Sequence, residues 1–270
     1  MTPSKARRLV SQPGINTTDV IAIQRHFLVI GTPLSGCRLA AADCAAPGGI
    51  TTGDVIACQR FFLQLSTGLG NVGIYQFSPV IRTYTPLGSN QTGQNFDAVV
   101  LGDVASPFAN PRPGGPEGDA PTVPTVEAVI LPQVDQAASN GIYEVKTSQI
   151  NAASNIVGFQ GDIQFDERVV TFDTQPVQNA GLTAGNWNVS ANVIPGNGPM
   201  RTLRVSAYSN DFSPLAGSGT LFGLKMTQMS KTAQGAQLRW AAPPDQFIFI
   251  DADLNTHSVG NAALGNLINR

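Results

Sequence analysis

Charge is scarce in this chain: Asp, Glu, Lys and Arg make up 13% of its 270 residues, about half the usual share. The 16 basic and 18 acidic residues nearly balance, and no basic run is longer than that from Lys5 to Arg8. Such a chain lacks the electrostatic footprint that phosphate requires, which excludes nucleic acid as a partner. Histidine is scarcer still. His26 and His257 are the two present, too few for most zinc sites, and no GxSxG, HExxH or Walker A pattern occurs. The three cysteines, Cys37, Cys44 and Cys58, all lie in the first quarter of the chain. Odd in number and clustered, they exclude a disulfide framework for the remainder. One local bridge between Cys37 and Cys44, or three small buried or half-buried thiols, are the readings left open. No apolar run is long enough to span a bilayer, and Met1 to Val10 lacks the apolar core of a signal peptide.

What is present begins with an internal repeat. Residues 15–34 match residues 50–69 at a constant offset of 35, with 12 identities in 20 positions. In each copy a Thr pair, Thr17–Thr18 or Thr51–Thr52, stands where a helix N-cap belongs. Val20, Ile23, Phe27 and Ile30 then recur at helical spacing, as do Val55, Cys58, Phe62 and Leu65. Gly31 and Gly68 mark the expected ends. Helices of this length are marginal alone, so their apolar stripes are expected to pack on each other. Residues 1–70 are therefore read as a helical repeat pair.

The pattern then changes. Residues 71–105 carry β-prone runs around Tyr75, Phe77, Tyr84 and Phe96, broken by Pro79 and Pro86. Residues 106–124 are rich in proline and glycine with little to bury, the composition of an extended linker. Over residues 125–255 the apolar period is two. Ile163 and Phe165, Val170 and Phe172, Trp187 to Val193, Leu203 to Ala207, Leu221 to Met226 and Phe247 to Ile250 alternate with polar neighbours. About eight strands without helical spacing between them predict a mainly β fold, an antiparallel sandwich of Ig-like or jelly-roll type. Residues 256–270 are left as a tail.

The loop followed by Thr-Thr-x-Asp-Val and Gln-Arg-x-Phe-Leu, present twice across residues 8–70, resembles the dockerin repeat, an EF-hand-like calcium loop followed by one helix. The resemblance implies calcium, with Asp43 at loop position 1 and Asp54 at position 12. Positions 3 and 5 fall on Ala45 and Pro47, which have no side-chain oxygen, and in the first copy Asp19 at position 12 places Arg8 at position 1. The expectation is no cofactor, or weak calcium binding confined to Asp43 and Asp54. Asp19 and Asp54 also have a plain structural reading, as first-turn carboxylates at the positive end of a helix. Residues 43–47 (DCAAP) and 103–107 (DVASP) are similar to each other, which suggests that Asp103 belongs to a further loop of this kind. Residues 158–173 and 219–226 resemble the paired strand signatures of cohesin domains, the sandwiches that receive dockerins.

These resemblances imply a protein partner of dockerin or cohesin type and an extracellular or cell-surface setting associated with polysaccharide. The missing signal peptide then reads as that of a fragment of a longer exported chain. Catalysis has little to stand on: Asp162 and Asp166 share a strand face as glycosidase carboxylates do, but an exposed sandwich face accounts for them. Asp251, Asp253 and His257 match no metal spacing. The function expected is thus non-catalytic protein recognition. The alternatives are a carbohydrate-binding sandwich, for which Trp187, Trp240, Tyr143 and Tyr208 are the available rings, or a structural Ig-like spacer.

Overall fold

A computed structural model describes residues 14–46, 48–85, 88–105, 133–135, 142–229, 238–242 and 245–258. The chain divides into two compact units, Met1–Gly115 and Pro116–Arg270. The segment read as a linker and the end of the tail lie outside the described residues.

In the first unit the repeat forms two like helices, α1 (Thr17–Phe27) and α3 (Thr52–Phe62), with a short α2 (Gly36–Ala42) between them. Both long helices start with a capping box. The first cap is Asn16, not the Thr17–Thr18 pair: its side chain accepts the Thr18 N–H, and Thr17 is already helical. Thr51 caps the second helix as expected. Each helix ends before the glycine expected to stop it. Val29 (φ 57°) and Gln64 (φ 56°) take the left-handed position, and the amides of Ile30 and Leu65 reach back to the carbonyls of Arg25 and Arg60, a Schellman closure. The helices pack on each other through Val20, Ile21, Ile23, Val55 and Cys58, all buried. The stripe rolls away toward its C-terminal end, leaving Phe27 43% exposed. Strands β1 (Tyr75–Ser78) and β2 (Asp97–Val100) form an antiparallel pair, and the Gly102 N–H donates to the Ala41 carbonyl at the end of α2.

The second unit is an antiparallel sandwich. One sheet runs β3-β4-β9-β6, with β3 (Gln133–Asp135), β4 (Ile142–Ile150), β6 (Val170–Asn179) and β9 (Gly217–Gln228). The other runs β12-β11-β5-β8-β7, with β5 (Ile156–Asp166), β7 (Trp187–Pro195), β8 (Met200–Ser209), β11 (Ile248–Asp251) and β12 (Thr256–Ser258); the two-residue β10 (Arg239–Trp240) also pairs with β5. The sandwich therefore extends into the residues read as tail. Phe159, Phe165, Leu203, Val205, Leu221, Phe222, Phe247 and Phe249 fill the core between the sheets. Phe159 lies within 6.2 Å, centroid to centroid, of Trp187, Phe222, Phe247 and Phe249, so burial of large rings dominates the stability of this unit. At Gly161 a Cβ would come within 2.8 Å of the Phe247 Cα, and only glycine allows that approach.

Candidate functional site

Two arrangements stand out. The first is on the sandwich. Register is unbroken over nine residue pairs from β5 to β8 and nine from β8 to β7, whereas the ladders of the opposite sheet are interrupted along both edges of β9. Alternation sends Phe159, Ile163, Leu203, Val205, Val189 and Ala191 into the core. The outer face then receives Gln160, Asp162 and Gln164 from β5, Thr202, Arg204 and Ser206 from β8, and Asn188, Ser190, Asn192 and Ile194 from β7. Most are polar and uncharged, and half-buried or exposed.

At the centre of this face the strand register sets Asp162 opposite Arg204. The guanidinium donates to both carboxylate oxygens, at 2.8 and 2.7 Å, and reaches Asp245 at 3.2 Å. Asp162 is 5% and Arg204 8% exposed. Burial pushes the Asp162 carboxyl up, against the pull of Arg204. A fork-shaped pair of this kind fixes side-chain direction as well as charge. The expectation of two exposed carboxylates is corrected here. Asp162 and Asp166 share a face, but Asp162 is enclosed and paired, while Asp166 is bound by Arg168 at 2.6 Å. The rings proposed for sugar stacking are also accounted for: Trp187, Trp240 and Tyr208 are buried, and Tyr143 is packed against the core. Among the described residues the exposed rings are Phe27, Tyr75, Phe77, Tyr84 and Phe96, all in the first unit. Asp251 organises its own turn, accepting the amides of Asp253 and Asn255 and pairing with His257 at 2.9 Å.

The second arrangement is a pair of carboxylate clasps in the helical unit. Asp54, third residue of α3, is 1% exposed. Its Oδ1 accepts the N–H groups of Cys44 (2.8 Å) and Ala45 (2.7 Å), and its Oδ2 accepts the Thr51 N–H (2.8 Å) and hydroxyl (3.0 Å). Asp19 does the same from α1, its Oδ2 accepting the Asn16 N–H (2.9 Å) while Oδ1 accepts those of Val104 (2.7 Å) and Ala105 (2.8 Å). The similarity of DCAAP to DVASP thus has a structural meaning, since Cys44–Ala45 and Val104–Ala105 occupy equivalent places on equivalent helices. Gly70 (φ 52°) backs the first of these loops so closely that a Cβ would meet Ala45 backbone at 2.4 Å.

Calcium can be tested against this geometry. All the acceptor directions of Asp54 are taken by donors, and a cation there would face N–H dipoles of the wrong sign. Asp43 gives Oδ2 to the amides of Gly48 (3.4 Å) and Gly49 (3.1 Å), and among the described residues no cluster of three metal-ligating side chains occurs. The donors around Asp54 therefore do not fit the ion, whereas the Oδ1 of Asp43 is buried without a partner. The cysteines are free thiols, Cys37 exposed and the other two buried. His26 is half-buried and its Nδ1 accepts the Leu34 N–H at 3.0 Å. Among the described residues no helix is long and apolar enough to cross a membrane.

No family model matches the chain, and no curated protein does. Among solved structures it is similar to a type II cohesin domain from the cellulosome of Acetivibrio cellulolyticus, with 18% identity over 53% of this chain and 96% of that one, at a TM-score of 0.37. The sixth cohesin of scaffoldin B from the same organism, solved in complex with a dockerin variant, gives 16% identity, 51% and 98% coverage and a TM-score of 0.36. A cohesin module from a family 33 glycoside hydrolase of Clostridium perfringens gives 9%, 48%, 90% and 0.34.

Proposed function

We propose that the chain is a non-catalytic recognition module whose sandwich receives a protein partner on the outer face of β5, β8 and β7. The observation that carries this reading is the unbroken register of those three strands around the enclosed Asp162–Arg204 pair. A regular ladder gives a stiff, level surface, and a stiff surface loses little freedom on docking. Its small polar side chains suit an interface that is specific without being a hydrophobic core cut in half. The partner class we assign is a protein carrying a repeat of dockerin type, in an extracellular assembly associated with polysaccharide. The chain's own helical repeat, of the same resemblance, supports that assignment.

The test is capture by the immobilised full chain, wild type against Ser190→Arg and Asn192→Arg, from the secreted proteins of the source organism and from soluble polysaccharide. Wild type should retain a protein that both variants release while keeping the wild-type unfolding temperature. Equal retention by the variants, or retention of sugar alone, would refute the reading.

A further inference from the structure

The sandwich also opens at its side, between the edge strands β6 and β7. Along β6 the ladder to β9 breaks after Phe172, which stands opposite Met226, and resumes at Val177, opposite Leu224. Residues 173–176 therefore have Lys225 alone across from them and arch off the sheet as an edge bulge. Pro176 is tolerated there because a bulged residue has no ladder bond to give. The bulge uncovers a cleft of about 330 Å³. Its deep wall is apolar: Phe165 and Val170 are each 2% exposed, Phe172 packs edge-to-face on Phe165 at 4.8 Å, and Val193 of β7 stands half-buried beside them.

The rim is polar. Arg201 donates to Glu167 Oε1 at 2.6 Å and to the carbonyls of Gly198 and Met200 at 2.7 and 3.0 Å, so this pair closes one end of the cleft in a fixed position. Asp173 stands exposed on the bulge. Among the described residues nothing donates to Glu167 Oε2 or to either oxygen of Asp173.

The geometry points to a binding site for one neutral sugar residue, separate from the partner face proposed on β5, β8 and β7. Charge decides against other small ligands. The Arg201 guanidinium is committed to Glu167 and two carbonyls, so the lining has no cation to offer an anion. With Glu167 neutralised, one exposed carboxylate is left for a cation, and such a contact is weak. Hydrogen bonding remains, and it is one-sided: the open oxygens of Glu167 and Asp173 only accept, and as charged acceptors they bind donors strongly. The matching ligand is uncharged, carries several O–H donors along one edge and turns an apolar face inward. A pyranose ring has that shape, its hydroxyls around the rim and its axial C–H bonds forming a face for Phe172 and Val193. The volume lies at the small end of ligand clefts, which suits one ring and excludes an extended segment of chain.

Saturation-transfer NMR on the full chain tests the site. The probes are methyl β-glucoside, methyl β-galactoside and methyl β-xyloside, with n-butylammonium as the cationic control, each at about 20 mM so that a site of millimolar affinity fills. Wild type should pass saturation to the ring C–H protons of at least one glycoside. Asp173→Ala and Glu167→Gln, which remove a charged acceptor, should each weaken that binding at least about fivefold while unfolding temperature and capture of the protein partner stay at wild-type values. No transfer to any glycoside, equal transfer in wild type and both variants, or transfer to n-butylammonium in place of the sugars overturns the inference. Glycoside binding that persists in Ser190→Arg, where partner capture is lost, leaves this site standing, so the two readings fail separately.

Discussion

Replacing Asp54 by alanine removes four hydrogen bonds at once, and the structure indicates how much that costs. The amide of Ala45 loses its acceptor, while that of Cys44 keeps the Ala42 carbonyl at 3.0 Å; an unsatisfied buried donor costs about 1–3 kcal/mol. The Cys44 amide lies in a fully buried residue, whereas Ala45 is half-buried, so water partly rescues the second. The Asp54 half of the capping box, which accepts the Thr51 N–H and hydroxyl, goes too, at about 1 kcal/mol. Allowing for that rescue and for the bond that Cys44 keeps, the sum is about 2–3 kcal/mol. In a unit of this size each kcal/mol moves the midpoint by about 4–8 °C, so the helical unit should melt at least about 8 °C lower. Thermal unfolding followed by circular dichroism at 222 nm reads the helices directly. Thr51→Ala, which removes one cap acceptor and one of the four donors to Asp54 but leaves the three amides, should cost only about 1 kcal/mol. Repeating the wild-type melt with chelator and with about 1 mM calcium separates a carboxylate clasp from a metal loop, because a bound ion stabilises by mass action. The reasoning fails if Asp54→Ala costs under about 1 kcal/mol, or if calcium raises the wild-type midpoint by many degrees.

Three further outcomes are expected. Arg204→Ala should destabilise the sandwich by about 3–5 kcal/mol by leaving Asp162 buried and unpaired, while the double variant Arg204→Met, Asp162→Leu should recover most of that loss in urea unfolding. Cys37 should react with a thiol reagent in the native chain, with Cys44 and Cys58 following only on unfolding, since both are buried and their thiols are pushed up by burial; mass spectrometry of the labelled peptides checks the order. Raising salt from about 0.05 to 1 M should leave the melting of the helical unit nearly unchanged, because its carboxylates are held by buried neutral donors that salt does not screen; a steady fall with added sodium chloride in a melting series would count against the clasps.

The helices were legible because two copies of one pattern confirmed each other, and the sandwich because Phe, Val, Ile and Leu alternate with polar residues along β5, β7, β8 and β9. What could not be read there depended on partners distant in sequence. Asp19 reads as a first-turn carboxylate, and so it is, but its other oxygen holds amides 85 and 86 residues away. Backbone donors leave no side-chain signature, and only the likeness of residues 103–107 to residues 43–47 hinted at them. Asp162 misled for a related reason. An acid on the outward parity of a strand looks solvent-exposed until register shows which residue faces it, and Arg204 lies 42 positions on. Helix α2 was missed because its seven residues carry neither a side-chain cap nor a stripe.

A common logic connects these enclosed charges. A chain with so few charged residues places several of them inside, and each is held by a specific geometry. The clasps use neutral N–H donors, which satisfy an anion without adding a cation that would itself need solvation. The sandwich instead pairs acid with base, and that choice follows from position: in the middle of a sheet the backbone donors are already committed to the ladder, so a buried carboxylate there must find a side chain. At a helix start the backbone donors are free, and the carboxylate finds them.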